Sequence, residues 1–195
     1  MNARVDLNTD NRLIFGKGQT FDGSFVVFDI ETTGFSPVKN NIIDIGAVKI
    51  MGGKIVDHFS TFVNPGEHIP KNITQLTSIT DEMVKDAPSI TVAMPIFLEF
   101  CNGSVLVAHY AGFDMSFIKQ KAMDLGIEFE ATHVDTLTMA KTLLVNLGEF
   151  TLDSVARALN VMLDKHHRAI DYAECTALVF LRLVEMINAQ GMQEK

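Results

Sequence analysis

The stretch FVVFDIET, residues 25–32, constrains this chain more than any other. Phe25 to Ile30 form a short, apolar, β-rich run, the pattern of a buried strand. Asp29 and Glu31 stand two apart where it ends. Side chains alternate along a strand, so both carboxylates lie on one face. Two acids on one face of a buried strand are costly unless paired or bound to metal. The plainer alternative is a pair of solvated strand-end acids above the Thr32-Thr33-Gly34 loop.

The remaining pattern builds an α/β chain around that strand. NIIDIGAVKI, MGG and KIVDHFSTFV read as a β-hairpin, with Asp44, Lys49, Lys54, Asp57 and Ser60 between apolar positions. A short helical stretch follows Asn72, and Thr80-Asp81-Glu82 signals a helix start. Ala87–Cys101 has helical apolar spacing, SVLVAH is a strand, and GFDMSFIKQKAMDLG is an amphipathic helix closed by Gly126. A short strand ends at Val134-Asp135, and a helix follows it through Leu144. Two more helices cover Thr151–Leu159 and Arg168–Ala189. A hairpin start followed by α/β alternation predicts a mixed sheet with helices on its faces. Residues 1–24 read as a lead-in or linker, 25–190 as the domain and 191–195 as a tail.

The chain has 195 residues, 47% of them hydrophobic, enough for one domain with a full core. No apolar run is long enough to span a bilayer and no signal-peptide pattern opens the chain, so the default home is cytoplasmic, with no membrane partner. Cys101 and Cys175 lie in apolar helical contexts without ligand spacing and read as core residues. A net charge of −8 disfavours gripping long duplex DNA by counterion release. An acidic enzyme can still hold a few nucleotides if its positive charge is bound metal.

Further acids sit where strands end. Asp114 follows the VLVA strand in the first turn of a helix, and Asp135 precedes another helix; either can simply cap N–H groups. Read together, Asp29, Glu31 and Asp114 end or follow two strands that neighbour one another. A fourth acid lies in the last helix beside a histidine. Hard oxygen ligands of this kind suit Mg²⁺ or Mn²⁺ rather than zinc. Two such ions about 3.5–4 Å apart serve phosphodiester hydrolysis, with a histidine as base.

The segments FVVFDIETTG, IIDIGAVKI, ITQLTSITDEMV, VLVAHYAGFDMSFI, VDTL and HHRAIDYAECTA occur in that order between Phe25 and Met186. In these the chain resembles the DEDDh 3′→5′ exonucleases of the DnaQ-like group, above all the proofreading domain of PolC-type DNA polymerase III. The resemblance implies a ribonuclease H-like fold with a mixed five-stranded sheet, two divalent metal ions (Mg or Mn), and nucleotide removal from a 3′ end. It implies Asp29, Glu31 and Asp114 as metal ligands and His167 as the general base. It places Thr32, Thr33, Leu76 and Thr77 near the terminal nucleotide. Phe117 joins them as a substrate residue or belongs to the core.

Two positions depart from the family pattern. The third motif commonly reads HHRAxxDAE, with an acid five residues after the base. Aligning RA, AE and TA puts Tyr172 at the acid position and Asp171 one residue early. A phenol is a poor Mg²⁺ ligand near neutrality. Asp171 is therefore the remaining candidate for the fourth catalytic acid and metal ligand, reached by a tightened or unwound first turn. A shifted register, His166 with Asp171, would rotate Ala173, Ala177, Leu178 and Leu181 off the core. Tyr110 replaces the usual Asn; its ring either stacks on a base or packs. His109 beside it reads as structural.

The expected activity is proofreading-type 3′→5′ exonuclease action, weakened at the third motif. Expected substrates are single-stranded or frayed DNA 3′ ends, with RNA open as a second class. A replicative polymerase is the expected protein partner. The competing readings are a weakened module that only binds 3′ ends or a polymerase, a trimmer of short oligonucleotides, and a domain cut from a larger polymerase.

Overall fold

The computed structural model describes residues 6–7, 13–14, 23–162 and 168–192. Two short strands, β1 (Asp6–Leu7) and β2 (Leu13–Ile14), pair antiparallel within the expected lead-in. The main elements follow as β3 (Ser24–Thr32), β4 (Ile42–Met51), β5 (Lys54–Phe62), α1 (Lys71–Thr77), α2 (Asp81–Val84) and α3 (Ile90–Cys101). After them come β6 (Val105–Ala108), α4 (Ala111–Asp124), β7 (His133–Asp135), α5 (Thr136–Leu143), α6 (Leu152–Ala158) and α7 (Ala169–Met192). The strands form one five-stranded mixed sheet in the order β5-β4-β3-β6-β7. β3, β4 and β5 pair antiparallel, whereas β6 and β7 join parallel to β3. This is the expected hairpin-led α/β architecture.

Central β3 divides its side chains between two cores, as strand alternation requires. Val26, Phe28 and Ile30 pack with Phe97 of α3 and with Phe117 and Ile118 of α4. Phe25 and Val27 face the other way, toward Val155 of α6 and Phe180 and Leu183 of α7. Asp29 and Glu31 share the parity of Val27 and so belong to the α7 face. Helices therefore cover both faces of the sheet.

Several boundaries move for local reasons. α3 starts at Ile90 rather than Ala87 because Pro88 disfavours helix before it and Ser89 is the cap residue. The Gly52-Gly53 turn between β4 and β5 has φ of 57° and 72°, a conformation glycine adopts without strain. Both cysteines are buried, as expected. Leu178 was expected in the core but is 43% exposed, because α7 turns its Ala173–Ala177 face to the sheet instead.

Gly46 explains how close α7 approaches. A Cβ there would lie 2.0 Å from the Ile170 nitrogen and 2.2 Å from the Ala169 carbonyl carbon. Strand and helix backbones touch at that point, so Gly46→Ala must push the start of α7 off β4. Overpacking typically costs 1–3 kcal/mol, and backbone cannot yield as a side chain does; we expect a loss of about 3 kcal/mol. Urea denaturation would show it as a lower midpoint at unchanged slope.

Candidate active site

Three carboxylates converge at the end of β3. Asp29 and Glu31 lie opposite Gly46 and Asp44 in the β3–β4 ladder. Asp114, in the first turn of α4, is buried at 4% exposure. Its carboxylate accepts the backbone N–H of Ile30, between the two β3 acids, as well as its own N–H. That bond ties the start of α4 to β3.

The electrostatics show how tightly these acids are placed. Burial raises Asp29 well above the ordinary carboxylate range, and the charges of Asp114, Glu31 and Asp44 add to it. Burial and then the Asp44 charge push Glu31 up to about 7. Asp114 is pushed up to about 8 by burial, against the hydrogen bonds from its own and the Ile30 N–H, with Glu31 and Asp135 contributing. Glu31 and Asp114 hold protons near neutrality and Asp29 is raised beside them, a strained donor set that a cation would relieve. All the donors are hard oxygens. Among the described residues, no three His, Cys, Asp or Glu side chains already stand in a metal-holding arrangement.

Tyr172 stands beside this cluster. Its phenol is held above the ordinary range by burial first, then by the charges of Glu31, Asp29, Asp153 and Asp171. Asp171 lies in the first turn of α7, and its charge is not among those acting on Asp29, Glu31 or Asp114. His166 and His167 lie outside the described residues.

The expected nucleotide-contacting residues separate by exposure. Thr32 and Thr33 are buried, and their hydroxyls are committed to the loop. Thr32 donates to the Gly34 carbonyl at 2.7 Å; Thr33 donates to Glu67 at 3.1 Å and accepts the Asn41 N–H at 2.9 Å. Leu76 is 71% exposed, whereas Thr77 is buried with its hydroxyl on the Ile73 carbonyl. Phe117 is fully buried against Phe113 at 5.1 Å between ring centroids, so its place is the core and it offers no surface to a nucleotide.

Tyr110 does not pack: it is 62% exposed. It precedes α4 in the left-handed conformation, φ 63°, which is strained for a tyrosine and turns the ring outward. Asp135 supports that backbone by accepting the Tyr110 N–H at 2.9 Å while also capping α5 at Leu137. His109 is pinned by Thr136 and by the Phe150 carbonyl, each at 2.9 Å, in line with a structural role.

Asp44 and Arg168 were not singled out by sequence reading. Asp44 looked like an outward polar residue of the hairpin, yet it is 0% exposed. It takes both arms of the Arg168 guanidinium, at 2.8 and 3.0 Å, and the Ala169 N–H at 3.0 Å. Lys121 is also buried and donates to Asn41, behind the Thr33 loop, at 3.1 Å. Exposed Phe35 lies at the edge of that loop, 6.5 Å from the Phe113 ring.

The exonuclease family profile (RNase_T) matches residues 26–180. The chain belongs to the exonuclease family. Curated relatives of this exonuclease domain include the PolC-type DNA polymerase III of Caldanaerobacter subterraneus subsp. tengcongensis, 50% identical over 174 residues. That match covers 89% of the chain and 12% of the polymerase. The PolC-type enzyme of Clostridium perfringens is 50% identical over 165 residues, covering 85% of the chain and 11% of the relative. The domain thus spans about an eighth of the length of such polymerases. Among solved structures, Exonuclease X in complex with 5′ overhanging duplex DNA has a TM-score of 0.67 at 24% identity, covering 86% of this chain and 93% of that one. The nuclease domain of 3′hExo, a DEDDh family member bound to rAMP, has a TM-score of 0.74 at 16% identity, covering 86% and 94%. These two likenesses establish the fold. Among the described residues, no helix is long and apolar enough to cross a membrane.

Proposed function

We propose that this exonuclease domain is a metal-dependent 3′→5′ exonuclease of the proofreading type, releasing nucleoside 5′-monophosphates from DNA 3′ ends. The convergence of Asp29, Glu31 and Asp114, with Glu31 and Asp114 raising the proton affinity of Asp29 and Glu31 that of Asp114, carries this reading. Those three residues would hold two divalent ions, Mg²⁺ or Mn²⁺. When bound, the ions supply Lewis-acid polarisation of the phosphate and offset the charge on the leaving oxygen. His167 takes the proton of the attacking water. The Thr32-Thr33 backbone and exposed Leu76 seat the terminal sugar and base, and exposed Tyr110 offers a stacking face. Phe117 drops out of the contact set because it is buried. Thr77 shapes the Leu76 turn through its bond to Ile73. Asp171 is the remaining acid of the third motif, and the charges acting on Tyr172 favour the phenol as the group turned to the cluster.

The substrates proposed are single-stranded or frayed 3′ ends, with RNA as a second class, in a cytoplasmic replication setting beside a replicative polymerase. Identity to PolC-type polymerases supports that setting. One observation favours a second reading, a weakened module that binds 3′ ends: Tyr172 in place of an acid at the cluster. Product chromatography separates the two. Digestion of a single-stranded oligonucleotide should give nucleoside 5′-monophosphates, abolished by Asp29→Asn. Tight binding of the oligonucleotide with no nucleotide released would favour the binding module.

A further inference from the structure

We propose that the Asp44–Arg168 pair is a positioning device that fixes the rotation of α7, so that Tyr172 rather than Asp171 faces the Asp29–Glu31 cluster. The inference rests on the acid cluster described above, and it concerns residues that sequence reading passed over.

Four contacts lock the first turn. The Arg168 guanidinium grips Asp44 with two arms, Nε at 2.8 Å and Nη2 at 3.0 Å. The same Nη2 reaches the Ser60 hydroxyl at 3.2 Å, and the guanidinium lies 3.6 Å over the Phe62 ring. The Ala169 N–H donates to Asp44 at 3.0 Å, so the strand carboxylate also caps the helix. At Gly46, two residues along β4, the missing Cβ lets the Ala169–Ile170 backbone seat directly on the strand. A planar fork on a carboxylate fixes direction as well as distance, which a lysine would not do.

Rotation is the quantity at stake. Adjacent residues on a helix differ by about 100°, so Asp171 can replace Tyr172 only if the first turn rotates or unwinds. Asp44 lies directly opposite Glu31 in the ladder. The helix is therefore referenced to the strand that carries the acids. Ala169, Ala173 and Ala177, all fully buried at four-residue spacing, continue the same face along the sheet. The clamp thus holds the first turn to the direction the rest of α7 already takes.

The test needs neither metal nor nuclease activity, so it fails separately from the exonuclease reading. The chain has two tyrosines and no tryptophan, and Tyr110→Phe leaves Tyr172 as the sole strong emitter. At about pH 9, where Glu31 and Asp114 have lost their protons and the Tyr172 phenol keeps its own, iodide is repelled by the neighbouring carboxylates and acrylamide is not. The ratio of iodide to acrylamide quenching therefore reports whether the phenol faces the acids. Asp44→Asn combined with Arg168→Met removes the clamp without changing net charge, and Asn still offers an oxygen to cap Ala169. With the clamp intact the ratio should be low. Without it, in protein that keeps its helical circular dichroism, the ratio should rise about threefold. Arg168→Lys, which keeps the charge but loses the fork, serves if the double variant fails to fold, and should raise the ratio in the same direction. An unchanged ratio in a folded variant would overturn the proposal.

Discussion

Tyr172→Asp is expected to raise Mg²⁺-dependent turnover on single-stranded DNA by on the order of 100-fold. Replacing groups that merely support metal ligands changes activity by about 10–100-fold, and a direct ligand should matter at least as much. The phenol already stands within the field of Glu31 and Asp29, which hold it in its protonated form. A carboxylate at the same position would meet the same two acids and complete a four-acid donor set. Without metal it would add another repelling charge, so Tyr172→Asp should also melt lower in EDTA and gain more from Mg²⁺. Turnover measured at saturating substrate across a Mg²⁺ titration checks the first effect. Equal turnover in the two proteins would mean that Asp171 or solvent already fills the gap.

Metal-free protein should lose stability steadily as pH rises from about 5 to about 8. The sign follows from the three raised acids. Each holds its proton more tightly folded than unfolded, so its stabilising contribution is complete below the unfolded value, near pH 4. That contribution is lost as pH climbs through the folded value. For Glu31 the folded value is about 7 and for Asp114 about 8, which sets the window. At about 1.4 kcal/mol per pKa unit, Glu31 alone accounts for up to roughly 3 kcal/mol. Divalent cations bind the ionised form, so Mg²⁺ or Mn²⁺ should raise the melting temperature clearly at pH 8.5 and little at pH 5.5. Melting curves in EDTA that do not change between pH 5 and 8 would contradict the placement of these acids.

Local pattern made much of the scaffold readable and left its long-range pairs hidden. β3, the β4–β5 hairpin, α4 and α7 follow directly from period and turn residues. Asp29 and Glu31 were legible because strand alternation alone puts them on one face. Asp114 was legible as a first-turn acid, though its bond to Ile30 was not. Asp44 was misread because alternation suggested a polar outer face, whereas α7 covers β4 there and Arg168 supplies the partner from 124 residues away. No spacing rule reports such a pair. Tyr110 was left open between stacking and packing because its outward turn depends on a left-handed backbone held by Asp135. Leu178 failed for a different reason: it falls on the outer stripe of α7, in line with exposed Glu174 and Arg182.

The most direct measurement follows a single-stranded oligonucleotide labelled at its 5′ end, with Mg²⁺, with Mn²⁺ and with EDTA, using the unaltered chain and Tyr172→Asp side by side. A ladder shortening from the 3′ end in either metal, absent in EDTA and faster for Tyr172→Asp, is the expected result. No metal-dependent shortening by either protein would contradict the assignment of Asp29, Glu31 and Asp114 as the heart of an exonuclease site.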